Sequence, residues 1–299
     1  METSERLSEI GGGHDRPAFK LLLSCPSGLS PSEVSVVFDQ TYDRIPHPDI
    51  SLENSITEYG GHTLGEGLIP LRILVTFVGT NLNPLWERFL FLSEDDWRRC
   101  QHTSNPLGNG AIVVTSDEEV VVLQRSTNVG EFPGHFVFPG GHPEPQEVGI
   151  ISHHTDGELT HQMVNRKVSQ EMFDSIIREV VEEIGVPTAS LGKPVFIGIS
   201  QRVLNVRPTA FFFIKCDLPS KDIQQLYCSA QDGYESTQLY TMSMDLSHAK
   251  LMTLNTPPCH DYSPPCKSNL ADIASKMPGC HQGGFALYKL MVDAAKENK

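Results

Sequence analysis

The sequence lacks an excess of positive charge. Its 299 residues include 23 Lys and Arg against 37 Asp and Glu, a formal net charge of −14 with histidine neutral. Proteins that bind nucleic acid or anionic lipid electrostatically present basic surfaces, so we expect neither partner here. A ligand that carries phosphate groups would need a bound cation to offset the repulsion.

Long hydrophobic runs are also missing. The apolar stretch from Leu68 to Val78 is broken by Pro70 and Arg72, and no stretch approaches the roughly 20 apolar residues of a membrane-spanning helix. The first dozen residues contain three glutamates and no apolar core behind a basic end, so a secretory signal is not expected. The features predict a cytoplasmic protein, and a nuclear location is compatible with them.

The seven cysteines include no C-x-x-C pair. An odd number of scattered cysteines favours reduced thiols over a disulfide framework. The spacing of Cys259, His260 and Cys266 matches no common zinc-ligand pattern, so we expect no zinc site there.

The composition is that of a globular protein, with 39% hydrophobic and 20% charged residues. The chain is long enough for one large domain or two modest ones. We expect an N-terminal region, residues 1–105, that packs on or extends a core. It contains a strand candidate at Lys20 to Cys25 and a turn at Pro26 to Gly28. The sequence assigns no fold to the remainder of this region.

The main domain is predicted to span residues 106–299. β-Branched runs at Ala111–Thr115 and Val120–Arg125 indicate a hairpin, and Pro194–Ile199 and Thr209–Cys216 read as buried strands on either side of a polar turn. A Pro-rich, loop-rich insertion is expected at 246–283. A C-terminal helix should follow, from about residue 284 or Phe285 to Glu297.

The best-defined element is a helix predicted over Ser169 to Gly185. Ser169 is a plausible N-cap, the acids Glu171 and Asp174 then fall in the first turn, and Gly185 before Val186-Pro187 is a stop signal. Its apolar residues form one stripe at the 3.6-residue period: Met172, Phe173, Ile176, Ile177, Val180, Val181 and Ile184.

The opposite face of this helix carries Arg178, Glu179, Glu182 and Glu183, one turn apart. A solvated acidic face, with Arg178 pairing Asp174 and Glu182, is the simplest interpretation of such a helix alone. Upstream, however, a strand runs into Gly140 and Gly141, where backbone can approach a ligand closely and offer a carbonyl oxygen. Carboxylates with a carbonyl make a hard-oxygen site for Mg²⁺ or Mn²⁺.

The segment from Arg178 to Val186, REVVEEIGV, resembles the second half of the Nudix box, R-E-U-x-E-E-x-G-U with U aliphatic, at every specified position. This resemblance implies an α/β fold, an α/β/α sandwich with a mixed sheet, over roughly 108–245. The first half, G-x5-E, is present from Gly141 to Glu147, but 30 residues separate Glu147 from Arg178 where the family usually has seven. Read without a gap, Gln170 would stand in place of the first glutamate. Both alternatives stay open, with 147–178 as an interrupted box.

The run from Val122 to Ser126 and the segment Pro139 to Pro145 are similar to the Nudix enzymes that hydrolyse UDP-glucose and UDP-galactose. Plant Nudix hydrolases of nucleoside diphosphate derivatives look more similar again. The resemblance implies that Arg125, His142 and Glu144 contact the substrate and that Glu179 and Glu183 bind metal. We also expect Gly141 to contact the substrate, and the carbonyl of Gly140 and the carboxylate of Glu182 to be further candidate metal ligands. Residues 55–76 lack the aromatic residues that the subfamily places near the nucleotide.

The sequence therefore predicts a Mg²⁺- or Mn²⁺-dependent pyrophosphohydrolase of a small nucleoside diphosphate derivative. UDP-glucose or UDP-galactose is the preferred substrate, giving UMP and sugar 1-phosphate. Glu182 is a further ligand or a base for water, Arg178 orients neighbouring carboxylates, and Glu235 is a candidate additional carboxylate. The alternatives are another substrate, such as ADP-ribose or NADH, or a non-catalytic nucleotide-binding or interaction module on a Nudix fold. Charge disfavours a decapping enzyme. The oligomeric state is not predicted.

Overall fold

The structure is a computed structural model that describes residues 18–37, 45–54, 102, 107–129, 132–144, 147–149, 161–204, 206–231, 236–243, 251–252 and 270–297. Several features predicted above lie outside these ranges. They are Glu235, residues 55–76, the group Cys259, His260 and Cys266, and most of the Pro-rich segment.

The described strands are β1 (Phe19–Leu29), β2 (Gly108–Val114), β3 (Glu119–Arg125), β4 (Phe136–Val137), β5 (Val195–Arg202), β6 (Pro208–Lys215), β7 (Ser236–Ser243) and β8 (Leu251–Met252). The helices are α1 (His161–Ile184), α2 (Ser220–Tyr227), α3 (Leu270–Ser275) and α4 (Gly279–Glu297), with a 3₁₀ turn at Thr188–Ser190.

Within the described part of the chain, the strands form one mixed sheet of order β1-β5-β6-β2-β3-β7-β8, with β4 pairing β3. β2 runs parallel to β6 from the pair Gly108 and Thr209 onwards, and β5 and β6 are antiparallel neighbours. The predicted β2–β3 hairpin is confirmed, but only Val114 and Val120 pair across it. The two strands then diverge, which leaves room beside β2 for the segment at 139–141.

Two hydrophobic cores cover the two faces of the sheet. One lies under α1 and α2 and contains Phe173, Ile176 and Ile223, and the other lies under α3 and α4 and contains Ile273 and Leu287. Helix, mixed sheet and helix thus form three layers, which confirms the predicted α/β/α sandwich. The apolar stripe predicted for α1 supplies much of the first core, as its period requires.

β1 lies at the edge of the sheet and pairs antiparallel with β5. The predicted turn at Pro26 to Gly28 is wrong, because β1 continues through it to Leu29. The register nevertheless shifts between Ser24 and Leu29, and Gly28 has φ +72°. The turn signal is realised as an irregularity inside an edge strand, where proline is tolerated.

α1 begins at His161, eight residues before the predicted N-cap Ser169. The apolar period extends further than predicted, because Val164 is also buried. The Ser169 hydroxyl donates to the Asn165 carbonyl at 2.7 Å and accepts the Val36 amide at 2.8 Å, a mid-helix use of serine. Glu171 and Asp174 therefore lie inside the helix, whereas the predicted stop at Gly185, with φ +75°, is confirmed.

α4 begins at Gly279, five or six residues before the predicted start, and α3 falls inside the segment expected to be loop-rich. Glycine disfavours helix by roughly 1 kcal/mol relative to alanine. Packing overrides this preference, since a Cβ on Gly283 would overlap the Ser200 side chain and one on Gly284 the Phe211 ring. The glycines allow α4 to approach the sheet closely.

The described cysteines Cys25, Cys216, Cys228 and Cys280 are free thiols. Of the helices that the structure describes, none has the length and apolar character of a transmembrane span.

Candidate active site

The glycine loop, defined here as Pro139 to Glu144, is fastened to β2. The Ala111 amide donates to the Pro139 carbonyl at 2.7 Å, and the Asn109 amide donates to the Gly141 carbonyl at 2.8 Å. A side chain on Gly140 would overlap the carbonyl of Asn109. Glycine is therefore required at position 140 for the loop to lie against the strand.

The acidic side chains of α1 reach this loop from the other side. The Gly140 amide donates to Glu183 Oε2 at 2.7 Å, and the His142 amide donates to Glu179 Oε1 at 3.3 Å. A Cβ on Gly141 would overlap the Glu179 carboxylate. The loop amides thus hold two carboxylates that lie one helical turn apart.

Burial disfavours the charged form of Glu179 at this contact. Burial raises the pKa of Glu179 to about 7, the His142 amide opposes the rise, and the charges of Glu182 and Glu144 add to it. Glu183 is 9% exposed, and Glu182 is half-buried. The site concentrates negative charge where water cannot fully solvate it.

Glu171 is a site residue that the sequence analysis missed. It is 5% exposed, accepts Arg178 Nη2 at 2.7 Å, and its Oε1 also accepts the Glu144 amide at 3.0 Å. We expected Arg178 to pair with Asp174 and Glu182, but in the described contacts it pairs with Glu171. The spacing of Glu171 and Arg178 could have predicted this pair, because residues seven apart lie two turns apart on one helix face.

Glu171 also bears on the interrupted box. Gln170 is exposed and donates to Asp174 at 2.9 Å, and Glu147 is exposed in a turn whose amide donates to the Glu144 carbonyl at 3.0 Å. Between these two candidates for the first glutamate, the structure buries a third residue against Arg178. Arg178 orients a neighbouring carboxylate, as expected, and that carboxylate belongs to Glu171.

Asn109 ties β2 to α1. Its Nδ2 donates to Ser175 Oγ at 2.7 Å and to the Met172 carbonyl at 3.2 Å. Since its own amide binds Gly141, one residue fixes the glycine loop and the acidic helix to the same strand. The carboxylate positions are therefore set by the core rather than by a free loop.

Comparisons with known proteins decide the family. The chain is 51% identical to Nudix hydrolase 9 from Arabidopsis thaliana, over 94% of this chain and 93% of that protein. The chain belongs to the Nudix hydrolase family. It is also similar to proteins named uridine diphosphate glucose pyrophosphatase NUDT22, at 31% identity for that of Mus musculus (74% of this chain, 80% of that protein) and 32% for that of Bos taurus (74% and 85%). No family model matches the chain.

The Nudix assignment confirms the family predicted from the REVVEEIGV segment, and with it a hydrolase. Among solved structures, a MutT protein from Methanosarcina mazei Go1 is 19% identical, covers 45% of this chain and 73% of its own, and has a TM-score of 0.27. A Nudix hydrolase from M. Smegmatis, RenU, is 11% identical, covers 38% and 63%, and has a TM-score of 0.22. At these scores neither likeness adds to the assignment.

The residues predicted to contact substrate in this Nudix chain fall into two groups. Gly141, His142 and Glu144 lie on the glycine loop above α1. Arg125, at the end of β3, belongs to a neighbouring group. Its amide donates to the His135 carbonyl at 2.9 Å, and its charge acts on His281.

His281 of α4 interacts with residues next to both groups. Its Nδ1 accepts the Phe138 amide at 3.1 Å, one residue before the glycine loop. Burial lowers the pKa of His281 to about 3, with the charges of Arg125 and Arg202 acting in the same direction. The ring is therefore a neutral acceptor at physiological pH, and α4 supports the entry to the glycine loop.

Proposed function

We propose that this Nudix hydrolase is a divalent-metal-dependent pyrophosphohydrolase of nucleoside diphosphate derivatives, with UDP-glucose or UDP-galactose preferred. In the reaction, water adds to one phosphorus, the P–O–P bridge breaks, and UMP and sugar 1-phosphate leave with the proton released to solvent or base. The observation that carries the proposal is the convergence of Glu179 and Glu183 on the amides of His142 and Gly140.

The donor set fits Mg²⁺ or Mn²⁺. Both carboxylates provide hard oxygen atoms, and a cation would offset the burial and repulsion that raise the pKa of Glu179. Among the residues that the structure describes, no three His, Cys, Asp or Glu side chains form a ready cation site, so we assign the further donors to the Gly140 carbonyl, substrate and water. When bound, the cation would polarise phosphoryl oxygens and make a water molecule more acidic.

The chain's own residues position the reacting groups. Amides of the glycine loop hold Glu179 and Glu183 in place, and the Arg178–Glu171 pair holds the loop through the Glu144 amide. Glu182, which no loop amide restrains in the described contacts, is our candidate to accept a proton from water. Fixing these groups beforehand reduces the reorganisation needed at the moment of reaction.

The substrate choice rests on the relatives. Three similar proteins bear the name uridine diphosphate glucose pyrophosphatase, and Arg125 offers a guanidinium that suits a phosphate oxygen. His142 and Glu144 are our candidates to bind the rest of the substrate from the glycine loop.

The test is hydrolysis of UDP-glucose by the purified full chain with Mg²⁺ or Mn²⁺, with separation of UMP and glucose 1-phosphate. UDP-galactose, ADP-ribose, NADH and capped RNA form the comparison panel. We expect both products from UDP-glucose and none with excess EDTA. Absence of both products at every metal would overturn the substrate assignment, and turnover of another panel member would then name the substrate class.

Glu179→Gln is the catalytic variant and Asp174→Asn its matched control. Both replace one acid of α1 by its amide, but Asp174 is exposed and binds Gln170. We expect the first to lose at least about 100-fold in kcat and the second to keep wild-type turnover. Equal turnover in both variants would remove Glu179 from the catalytic machinery, whereas binding of UDP-glucose without turnover of any panel member by the wild type would favour the non-catalytic module.

A further inference from the structure

The loop between β3 and β4 holds an aromatic ring that neither hydrophobic core uses. Phe132 is half-buried and belongs to neither of the two core clusters. Its φ is +50°, a left-handed conformation that is rare and costly for a bulky residue. Hydrogen bonds close the loop around it: the His135 amide donates to the Phe132 carbonyl at 3.2 Å, and the Gly134 amide to the Arg125 carbonyl at 3.1 Å.

Two side chains fix the orientation of this ring. The Arg202 guanidinium carbon lies 4.5 Å from the ring centroid, in cation–π geometry, and the His135 ring makes a T-shaped contact with Phe132, with centroids 5.3 Å apart. Arg202 is only 5% exposed. A buried cation therefore covers one face of a ring that is itself partly open to solvent.

The strand register places this pair at the same end of the sheet as the glycine loop. Gln201, next to Arg202, pairs with Pro208, Thr209 pairs with Gly108, and the following Asn109 binds Gly141. β5 is two strands from β2, roughly 10 Å at the usual strand spacing. Phe132 belongs to the loop that follows β3, on one side of β2. It contacts Arg202 of β5, on the other side of β2, so the contact crosses the strand ends beside the glycine loop.

A nucleoside diphosphate bound with its phosphates at the glycine loop would extend its base along these neighbouring strand ends. A fixed aromatic face is a stacking surface for a nucleobase. Arg125, at the foot of the same loop, suits the phosphates in between. The described residues thus place a guanidinium and an aromatic ring at the end of the sheet where the glycine loop and its carboxylates lie.

We propose that Phe132 is the residue on which the base of the substrate stacks, and that Arg202 is a positioning residue that holds the ring. This inference rests on the proposed function and adds its base subsite. Stacking accepts any base, so Phe132 supplies affinity for a nucleotide and leaves the choice among bases to other groups.

The variants are Phe132→Leu, which keeps an apolar side chain without a stacking face, and Phe132→Tyr, which keeps the ring. For UDP-glucose hydrolysis with Mg²⁺, we expect Phe132→Leu to raise KM roughly 5- to 100-fold with kcat within about twofold of wild type. Phe132→Tyr should restore KM. Arg202→Met should raise KM in the same direction and less than Phe132→Leu.

Product binding separates stacking from a structural role. By calorimetry with Mg²⁺ present, Phe132→Leu should weaken binding of UMP by a similar factor and leave binding of glucose 1-phosphate unchanged. Equal weakening of both products, or an unchanged KM, would overturn the inference while wild-type turnover leaves the proposed function standing. If wild type hydrolyses no nucleoside diphosphate derivative, the proposed function itself fails, and unchanged UMP binding in Phe132→Leu then overturns the inference separately.

Discussion

The amide of Gly140 donates to the carboxylate of Glu183 at 2.7 Å, joining residues that lie 43 positions apart in the sequence. Charge-assisted bonds of this kind are about twice as strong as neutral ones. The contact places a helix carboxylate against the backbone of a loop that β2 holds in place. Both partners are therefore positioned by contacts within the chain, and four predictions test this arrangement and its surroundings.

Replacing Gly141 by alanine should disable the site without unfolding the protein. The new Cβ would overlap the Glu179 carboxylate and displace it, and a displacement of about 1 Å can cost 100-fold in rate. We expect kcat to fall at least about tenfold. Gly108→Ala is the matched control, because its Cβ would meet Thr209 Oγ1 at an ordinary 3.4 Å. Equal losses in both variants would contradict the prediction.

Glu171→Gln should destabilise the protein more than Glu147→Gln. The first change weakens a bond from Arg178 to a carboxylate that is 5% exposed, with an expected loss of about 1 to 3 kcal/mol in the free energy of unfolding. Glu147 is exposed, so its change should lie within about 0.5 kcal/mol of wild type. Urea unfolding at pH 7 measures both, and the reverse order would assign the first glutamate of the box to Glu147.

The lowered pKa of His281 should make the free energy of unfolding decrease in acid. Burial, with the charges of Arg125 and Arg202, lowers its pKa to about 3, whereas the unfolded ring titrates near 6.5. Below pH 6.5 the unfolded state therefore binds the extra proton, and the contribution is lost as pH falls towards 3, by at most about 1.4 kcal/mol per pH unit.

The measurement is urea unfolding between pH 4 and 7, with His281→Gln as the comparison. Glutamine keeps an acceptor for the Phe138 amide but does not titrate. The variant should show a flatter dependence on pH. Parallel curves for the two proteins would show that other groups cause the acid sensitivity.

Mg²⁺ should stabilise the wild type and not Glu183→Gln. A ligand that binds only the folded state at 100 times its Kd adds about 2.7 kcal/mol, visible as a rise in Tm that EDTA reverses. Asp174→Asn, an exposed change on the same helix, should keep the full rise. A wild-type rise in Glu183→Gln would remove that residue from the metal site.

The sequence predicted the parts of the fold that depend on local pattern. The paired strands Val195–Arg202 and Pro208–Lys215 follow from β-branched and aromatic runs, and the end of α1 follows from Gly185. Elements decided by tertiary packing were placed less well. Ser169 resembles an N-cap, yet Val164 is buried and extends the helix before it, and packing against Ser200 and Phe211 keeps Gly283 and Gly284 helical.

The candidate site was predictable where one helix carries it. Glu179 and Glu183 follow from spacing along α1, but their hydrogen bonds to the glycine loop depend on how β2 and β3 diverge. The sequence did not predict Glu171, because the spacing of the family motif points to Gln170 or Glu147. The contact of Phe132 with Arg202 joins the loop after β3 to the last residue of β5, and no local pattern connects two such positions.

The long connection between the two halves of the box has a small thermodynamic cost. The entropy of closing a flexible loop grows only with the logarithm of its length, so lengthening it from seven to 30 residues adds about 1.3 kcal/mol. α1 already takes up part of that length from His161 onwards, and the Glu144–Glu171–Arg178 contacts rejoin the ends. The two halves can therefore diverge in spacing while the hydrogen bonds between them persist, which makes this junction a permissive point for insertions of new sequence.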